Sequence, residues 1–244
     1  MTPTSLIRDI DVGVFLYFKS FWGKWKGFDN VVDLFIDNSL LKAGPILVMT
    51  WYLWFVRDAQ TPRRRAGIVS LLAAGCCAAL FSVALTKLLP LRPRPMFEPS
   101  LGSTLVSPDW FRVSSLPSDH AAMFVAMAVG LIFVSRTWGI IALLDALIFI
   151  CLPRAYVGLH YVADLTAGAM IGVAFAAFFN SEFVRSRFSN KVVSFEVHRA
   201  PAFYGGLFVL TMEIADLFQG ARQVAAVAAQ AGQWALRGLI QALS

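Results

Sequence analysis

The chain has only three histidines, and two of them, His120 and His160, stand where they could do chemistry. Asp164 follows His160 by four positions, a spacing that puts both on one helix face. A carboxylate that accepts the Nδ1 proton of an imidazole fixes the tautomer and leaves Nε2 free to attack. Arg154 adds a permanent cation six residues upstream. His120 ends the run Ser115-Leu116-Pro117-Ser118-Asp119-His120, in which Pro117 and Ser118 read as a helix start with Ser118 as N-cap. A helix N-terminus offers unpaired N–H groups and a positive dipole end, which together suit an anion. The third group is Lys87, Arg92 and Arg94, threaded between Pro90, Pro93 and Pro95. The prolines stop a helix and stiffen the path, so Lys87 and Arg94 can be held toward one point, as a phosphate requires.

Each group alone has a plain structural reading. Basic residues snorkel at span ends, capped helices carry interfacial histidines, and a His–Asp pair can close a loop onto a helix. Together they supply three cations, two imidazoles, a carboxylate and a helix N-terminus. That set suits transfer of an anionic group by a histidine.

The elements that must position these residues are membrane helices. Of 244 residues, 58% are hydrophobic and only 15% are charged, with a mean hydropathy of +0.66; soluble domains run nearer a quarter charged, at about 25%. Apolar stretches lie at about 40–56, 66–89, 120–134, 138–152, 162–179 and 201–218, which predicts an all-α, polytopic membrane bundle of about six transmembrane helices. Arginines and lysines fall between the first and second stretches, the third and fourth, and the fifth and sixth. The positive-inside rule places those connections in the cytoplasm, so 90–119 and 153–161, with all three groups, face outside. The basic N-terminal segment, with Lys19, Lys24 and Lys26, conflicts with that orientation. Residues 1–39 read as an interfacial aromatic and basic segment, 40–220 as the membrane domain and 221–244 as an amphipathic tail. No leader with a basic start and apolar core is visible.

Other classes fit less well. The net charge of +6 forms no stripe for nucleic acid. There is no HExxH, no metal-like cysteine spacing and no GxxxxGK[ST], so no metal or nucleotide site is expected. Asp145, midway along the fourth stretch, with Glu213 and Asp216 in the sixth, leaves a transporter or lipid scramblase as the alternative of another class. Asp145 can equally pair with Ser70 or Ser82 in a structural role.

The three groups resemble the type 2 phosphatidic acid phosphatase superfamily, whose pattern is KxxxxxxRP, PSGH and SRxxxxxHxxxD. This chain reads Lys87 to Arg94-Pro95, Pro117-Ser118-Asp119-His120, and Pro153-Arg154 to His160 to Asp164, with matching spacing across 87–164. It departs from the pattern at Asp119, where glycine is usual, and at Pro153, where serine is usual. The resemblance implies that His160 attacks phosphorus, Asp164 orients it, and His120 protonates the leaving oxygen and then activates water. It also implies that Lys87, Arg94, Arg154 and N–H groups near Ser118 and Asp119 hold the phosphoryl oxygens, and that no cofactor is needed. The PSDH variant is similar to bacterial undecaprenyl-diphosphate phosphatases. The expected substrate is therefore a polyprenyl diphosphate, cleaved on the outer face of a bacterial cytoplasmic membrane. Phosphatidic acid, phosphatidylglycerol phosphate and lipid A phosphate are the alternatives. Trp110, Phe111, Tyr156 and Tyr161 are expected to rim the mouth.

Overall fold

A computed structural model describes residues 3–108, 113–224 and 227. Those residues are mostly helical and contain no strand. The order is α1 (Pro3–Lys19), α2 (Lys26–Asp37), α3 (Ser39–Phe55), α4 (Thr61–Leu88), α5 (Asp119–Val134), α6 (Arg136–Asp145), a π turn (Ala146–Cys151), α7 (Leu152–Tyr156), α8 (Val162–Asn180), α9 (Glu182–Val184), α10 (Asn190–His198) and α11 (Ala200–Ala215). Each of the six apolar stretches is helical. Among the described residues three helices are long and apolar enough to cross a membrane: Thr61–Leu88, the continuous path Arg136–Tyr156, and Val162–Asn180. The helices at Asp119–Val134 and Ala200–Ala215 are apolar but shorter.

Small residues set the packing. In α5, Ala121, Ala122, Ala126 and Ala128 are wholly buried, and they let α4 and α8 pack tightly against it. Gly168 of α8 decides the closest approach: a β-carbon there would lie 2.3 Å from the carbonyl oxygen of Ser118. Without glycine at 168, the start of α5 could not rest on α8.

α4 has 28 residues, roughly 42 Å at the usual helical rise, and it separates two chemically different ends. At its start Arg64 pairs with Asp58, and Arg65 pairs with Glu196 at 3.0 Å. At its far end lie the prolines, the start of α5 and the turn before α8. The start of α5, with His120, and the turn that carries His160 therefore meet at one end of the bundle.

The expected partner for Asp145 is not found. Ser70 instead faces Ser189, with their hydroxyls 2.7 Å apart, and neither Asp145 Oδ2 nor Ser82 Oγ has a hydrogen-bond partner among the described residues. Glu213 and Asp216 serve local structure: Glu213 accepts from the Ala221 N–H at 3.0 Å, and Asp216 accepts from the Ser39 hydroxyl at 3.3 Å. Most of the tail at 221–244 lies outside the described residues.

Candidate active site

The turn between α7 and α8 places His160. The carbonyl of Arg154 receives the N–H of Leu159 at 2.9 Å and of His160 at 3.3 Å. Gly158 sits at φ +76°, in the left-handed region that glycine enters freely. Its carbonyl receives the Met96 N–H at 2.9 Å, which docks the proline-rich connection against this turn.

His160 is 5% exposed, and its neighbours dictate its tautomer. Nδ1 lies 2.9 Å from the carbonyl oxygen of Ser115, which can only accept. Nε2 lies 3.3 Å from Nη1 of Arg94, which can only donate. The ring is therefore neutral, protonated at Nδ1, with its lone pair at Nε2. Burial pushes its pKa below the ordinary value, and the Arg94 charge adds to that.

Asp164 differs from the expectation. Its Oδ2 is 3.9 Å from His160 Nδ1, too far to take that proton, and accepts the Tyr161 N–H at 2.9 Å instead. Its Oδ1 pairs with Arg92. The cause is its place in the first turn of α8, where a carboxylate caps the helix start. Asp164 is fully buried, so its charge still acts on His160 at short range, while the Ser115 carbonyl holds the ring.

Arg92 is a hub that the sequence pattern left without a role. It joins Asp164 to Asp11 of α1, the latter at 2.6 Å, and its guanidinium lies 4.2 Å from the Tyr161 ring centre. Burial alone would lower its pKa, but the two carboxylates outweigh that and the net shift is upward. Asp11 also accepts the Ala163 N–H at 2.9 Å, so α1 is tied into the site. Arg94 donates to the Leu159 carbonyl at 2.8 Å, and burial lowers its pKa against the opposing charges of Asp119 and Asp164.

At the start of α5, Ser118 accepts from the Ala121 N–H at 3.4 Å, as an N-cap does, and its own N–H donates to the Asp164 carbonyl at 3.1 Å. Asp119 Oδ1 lies 2.8 Å from both the N–H and Nδ1 of His120. The anion site expected at this helix start thus narrows to the Asp119 N–H. The Asp119 carboxylate turns back onto His120, directing Nε2 of that ring outward. Arg154 is 2% exposed and donates to the Ile150 carbonyl at 2.9 Å. Asp119 is within electrostatic range of Arg94, Arg154, His120 and His160.

Lys87 is not brought in. It is exposed at the end of α4 and makes no hydrogen bond or ion pair among the described residues. Nor do the tyrosines form a rim. Tyr156 is buried beneath α1 and α2, where its hydroxyl donates to Asp29 at 2.5 Å and its carbonyl accepts from Trp22 at 2.9 Å; Tyr161 is buried under Arg92. Trp110 and Phe111 lie outside the described residues.

Residues 66–187, half the chain, match the PAP2 superfamily. The chain belongs to that superfamily. The matched region holds every site residue of the sequence pattern. No curated protein and no solved structure matched the chain. PAP2 membership and the apolar helices make it a membrane-associated phosphatase of the lipid-phosphatase kind. Asp11 lies outside the matched residues, in the aromatic and basic N-terminal segment, where no motif spacing marks it.

Proposed function

We propose that the protein hydrolyses a lipid phosphate or diphosphate through a phosphohistidine formed on His160. The observation that carries this reading is the His160 ring, buried and neutral, held at Nδ1 by an obligate acceptor and presenting the Nε2 lone pair toward an obligate donor. Phosphoryl transfer asks a protein mainly for positioning and charge stabilisation, and this site supplies both.

The substrate phosphoryl group takes the N–H groups of Arg94, Arg154 and Asp119. As Arg94 turns to the phosphoryl oxygens, Nε2 of His160 is freed to attack phosphorus in line with the leaving oxygen. The P–O bond breaks, and His120 gives a proton to the departing oxygen. The His160 ring becomes cationic, and the Ser115 carbonyl and the Asp164 charge stabilise it. His120, now neutral, takes a proton from water as that water attacks phosphorus. Inorganic phosphate leaves and His160 is restored. No step uses a metal. The first candidate substrate is a polyprenyl diphosphate, supported by Asp119 in the second motif, and the catalytic end faces the outside of a bacterial cytoplasmic membrane, supported by the basic opposite end.

The test is phosphate release from a panel of lipid phosphates and diphosphates by detergent-purified protein in chelator, with His160→Ala alongside. Release that persists in chelator and vanishes in the variant supports the reading. Full release by a well-folded His160→Ala protein rejects it, and no release from any lipid turns attention to the transport alternative.

A further inference from the structure

The site has a cation that the motif pattern does not contain. Lys42, in the first turn of α3, is 4% exposed, and its ammonium makes no hydrogen bond or ion pair among the described residues. A lysine buried without a partner is costly and marks a place that an anion can fill.

Its location follows from the segment after α11. Leu217 and Phe218 sit at φ 51° and 60°, left-handed backbone that residues with a β-carbon rarely adopt. This sharp turn folds the chain back over the site. On one side Asp216 meets Ser39, which shares a face of α3 with Lys42 three positions on. On the other side Arg222 donates to the Leu217 carbonyl at 2.8 Å and reaches Asp119 Oδ2 at 3.9 Å. Lys42 lies one turn after Ser39 on α3, and its charge is within electrostatic range of Arg154, Asp119 and His120.

The geometry points to a second phosphate subsite, formed by Lys42 and Arg222 on the side of His120. Resting on the phosphohistidine reading, it makes the enzyme selective for diphosphate esters. His160 attacks the terminal phosphorus, and the bond from that phosphorus to the bridging oxygen breaks. The electron pair stays on the bridging oxygen, beside His120. The leaving group is then itself a phosphate monoester, and Lys42 and Arg222 neutralise the charge it gains. Water completes the cycle, giving a lipid monophosphate and inorganic phosphate. A monophosphate substrate has an alcohol at that position and leaves both cations unanswered. An apolar groove of about 810 Å³ runs along α3 from Ser39 to Val56, with Ala215 of α11 at its edge, and offers a surface for hydrocarbon on the same helix.

The experiment compares a short-chain prenyl diphosphate with the monophosphate of the same alcohol in detergent, for the parent protein, Lys42→Met, Lys42→Arg and Arg222→Ala. The readout is the ratio of the two kcat/KM values. Lys42→Met and Arg222→Ala are each expected to lower that ratio by about ten- to a hundredfold, the worth of one charge-assisted hydrogen bond made only to the diphosphate. Lys42→Arg is expected to restore most of it. An unchanged ratio, whether both activities hold or both fall together, overturns the subsite. Should Lys42→Met fail to fold, Arg222→Ala and inhibition of the parent protein decide the matter. Inorganic pyrophosphate is expected to inhibit monophosphate hydrolysis about tenfold more tightly than inorganic phosphate, an advantage lost in Arg222→Ala; equal inhibition by the two anions overturns the subsite. The two readings fail separately. Turnover by His160→Ala removes the nucleophile, whereas a fixed ratio with an inactive His160→Ala removes only the subsite.

Discussion

Nδ1 of His120 lies 2.8 Å from Oδ1 of the residue directly before it, Asp119. The departure from glycine at this position thus places a carboxylate behind the proposed acid, where it holds the tautomer and the ring angle. Asp119→Asn is expected to lower kcat by about ten- to a hundredfold, part of the range that a positioned acid–base group contributes, with a smaller change in KM. Steady-state kinetics across pH check this. A merely structural role for Asp119 would leave the limb that reports His120 in place, whereas loss of the orienting carboxylate moves it.

Replacing His160 by alanine is expected to remove turnover by at least about a thousandfold, because no other group can carry the phosphoryl intermediate. The variant also strands the Ser115 carbonyl, a loss of about 1–3 kcal/mol. Rapid alkaline quench with substrate radiolabelled in the phosphoryl group should trap a base-stable, acid-labile phosphoenzyme in the parent protein and none in the variant.

Arg92→Ala separates structure from chemistry. The change leaves Asp11 and Asp164 buried without their shared partner, and breaking such a pair costs about 3–5 kcal/mol. Thermal unfolding in detergent should show the loss, and activity should fall with it because Asp164 and the start of α8 shift. Asp11→Asn is expected to act in the same direction with a smaller effect. Unaltered unfolding in Arg92→Ala would mean that the bridge carries no weight.

His160 should also write itself into the pH profile. Burial and the Arg94 charge hold its pKa below 6.5, so the neutral nucleophile persists to lower pH than a free imidazole would allow. The acid limb of kcat/KM should have its midpoint below about pH 6.5, and a midpoint above neutrality would contradict the geometry. Stability follows the same sign. Below the ordinary histidine value the unfolded chain binds a proton that the folded site refuses, so this contribution is complete above that value. It is lost as pH falls toward the lowered pKa.

Gly168→Ala tests how α5 is seated. A β-carbon 2.3 Å from the Ser118 carbonyl must push the two helices apart, at about 1–3 kcal/mol by analogy with overpacked cores. Both unfolding temperature and kcat should drop, since Ser118 anchors the turn that carries His120.

Much of this molecule was legible in its sequence because short-range rules govern it. Prolines, the Ser118 cap and apolar runs placed the helices, and motif spacing named His120, His160, Arg94, Arg154 and Asp164. What escaped depended on the path of the backbone. That the Ser115 carbonyl, and not Asp164, would hold His160 requires knowing where two distant loops meet. Asp11 and Lys42 lie far along the chain from the motifs and carry no spacing signal. Arg92 was visible beside Arg94, but only the fold shows that one arginine points at two carboxylates and the other at an imidazole. Asp119 was noticed as a departure, while the direction of its carboxylate was set by the first turn of α5.

The bridge from Asp11 through Arg92 to Asp164 bears on how the protein is made. During synthesis α1 emerges long before α8, and its buried acid has no partner until both the proline-rich connection and the start of α8 have been delivered. The contacts that seat the amino-terminal helix at the catalytic end are thus made by parts of the chain synthesised 81 and 152 residues after Asp11.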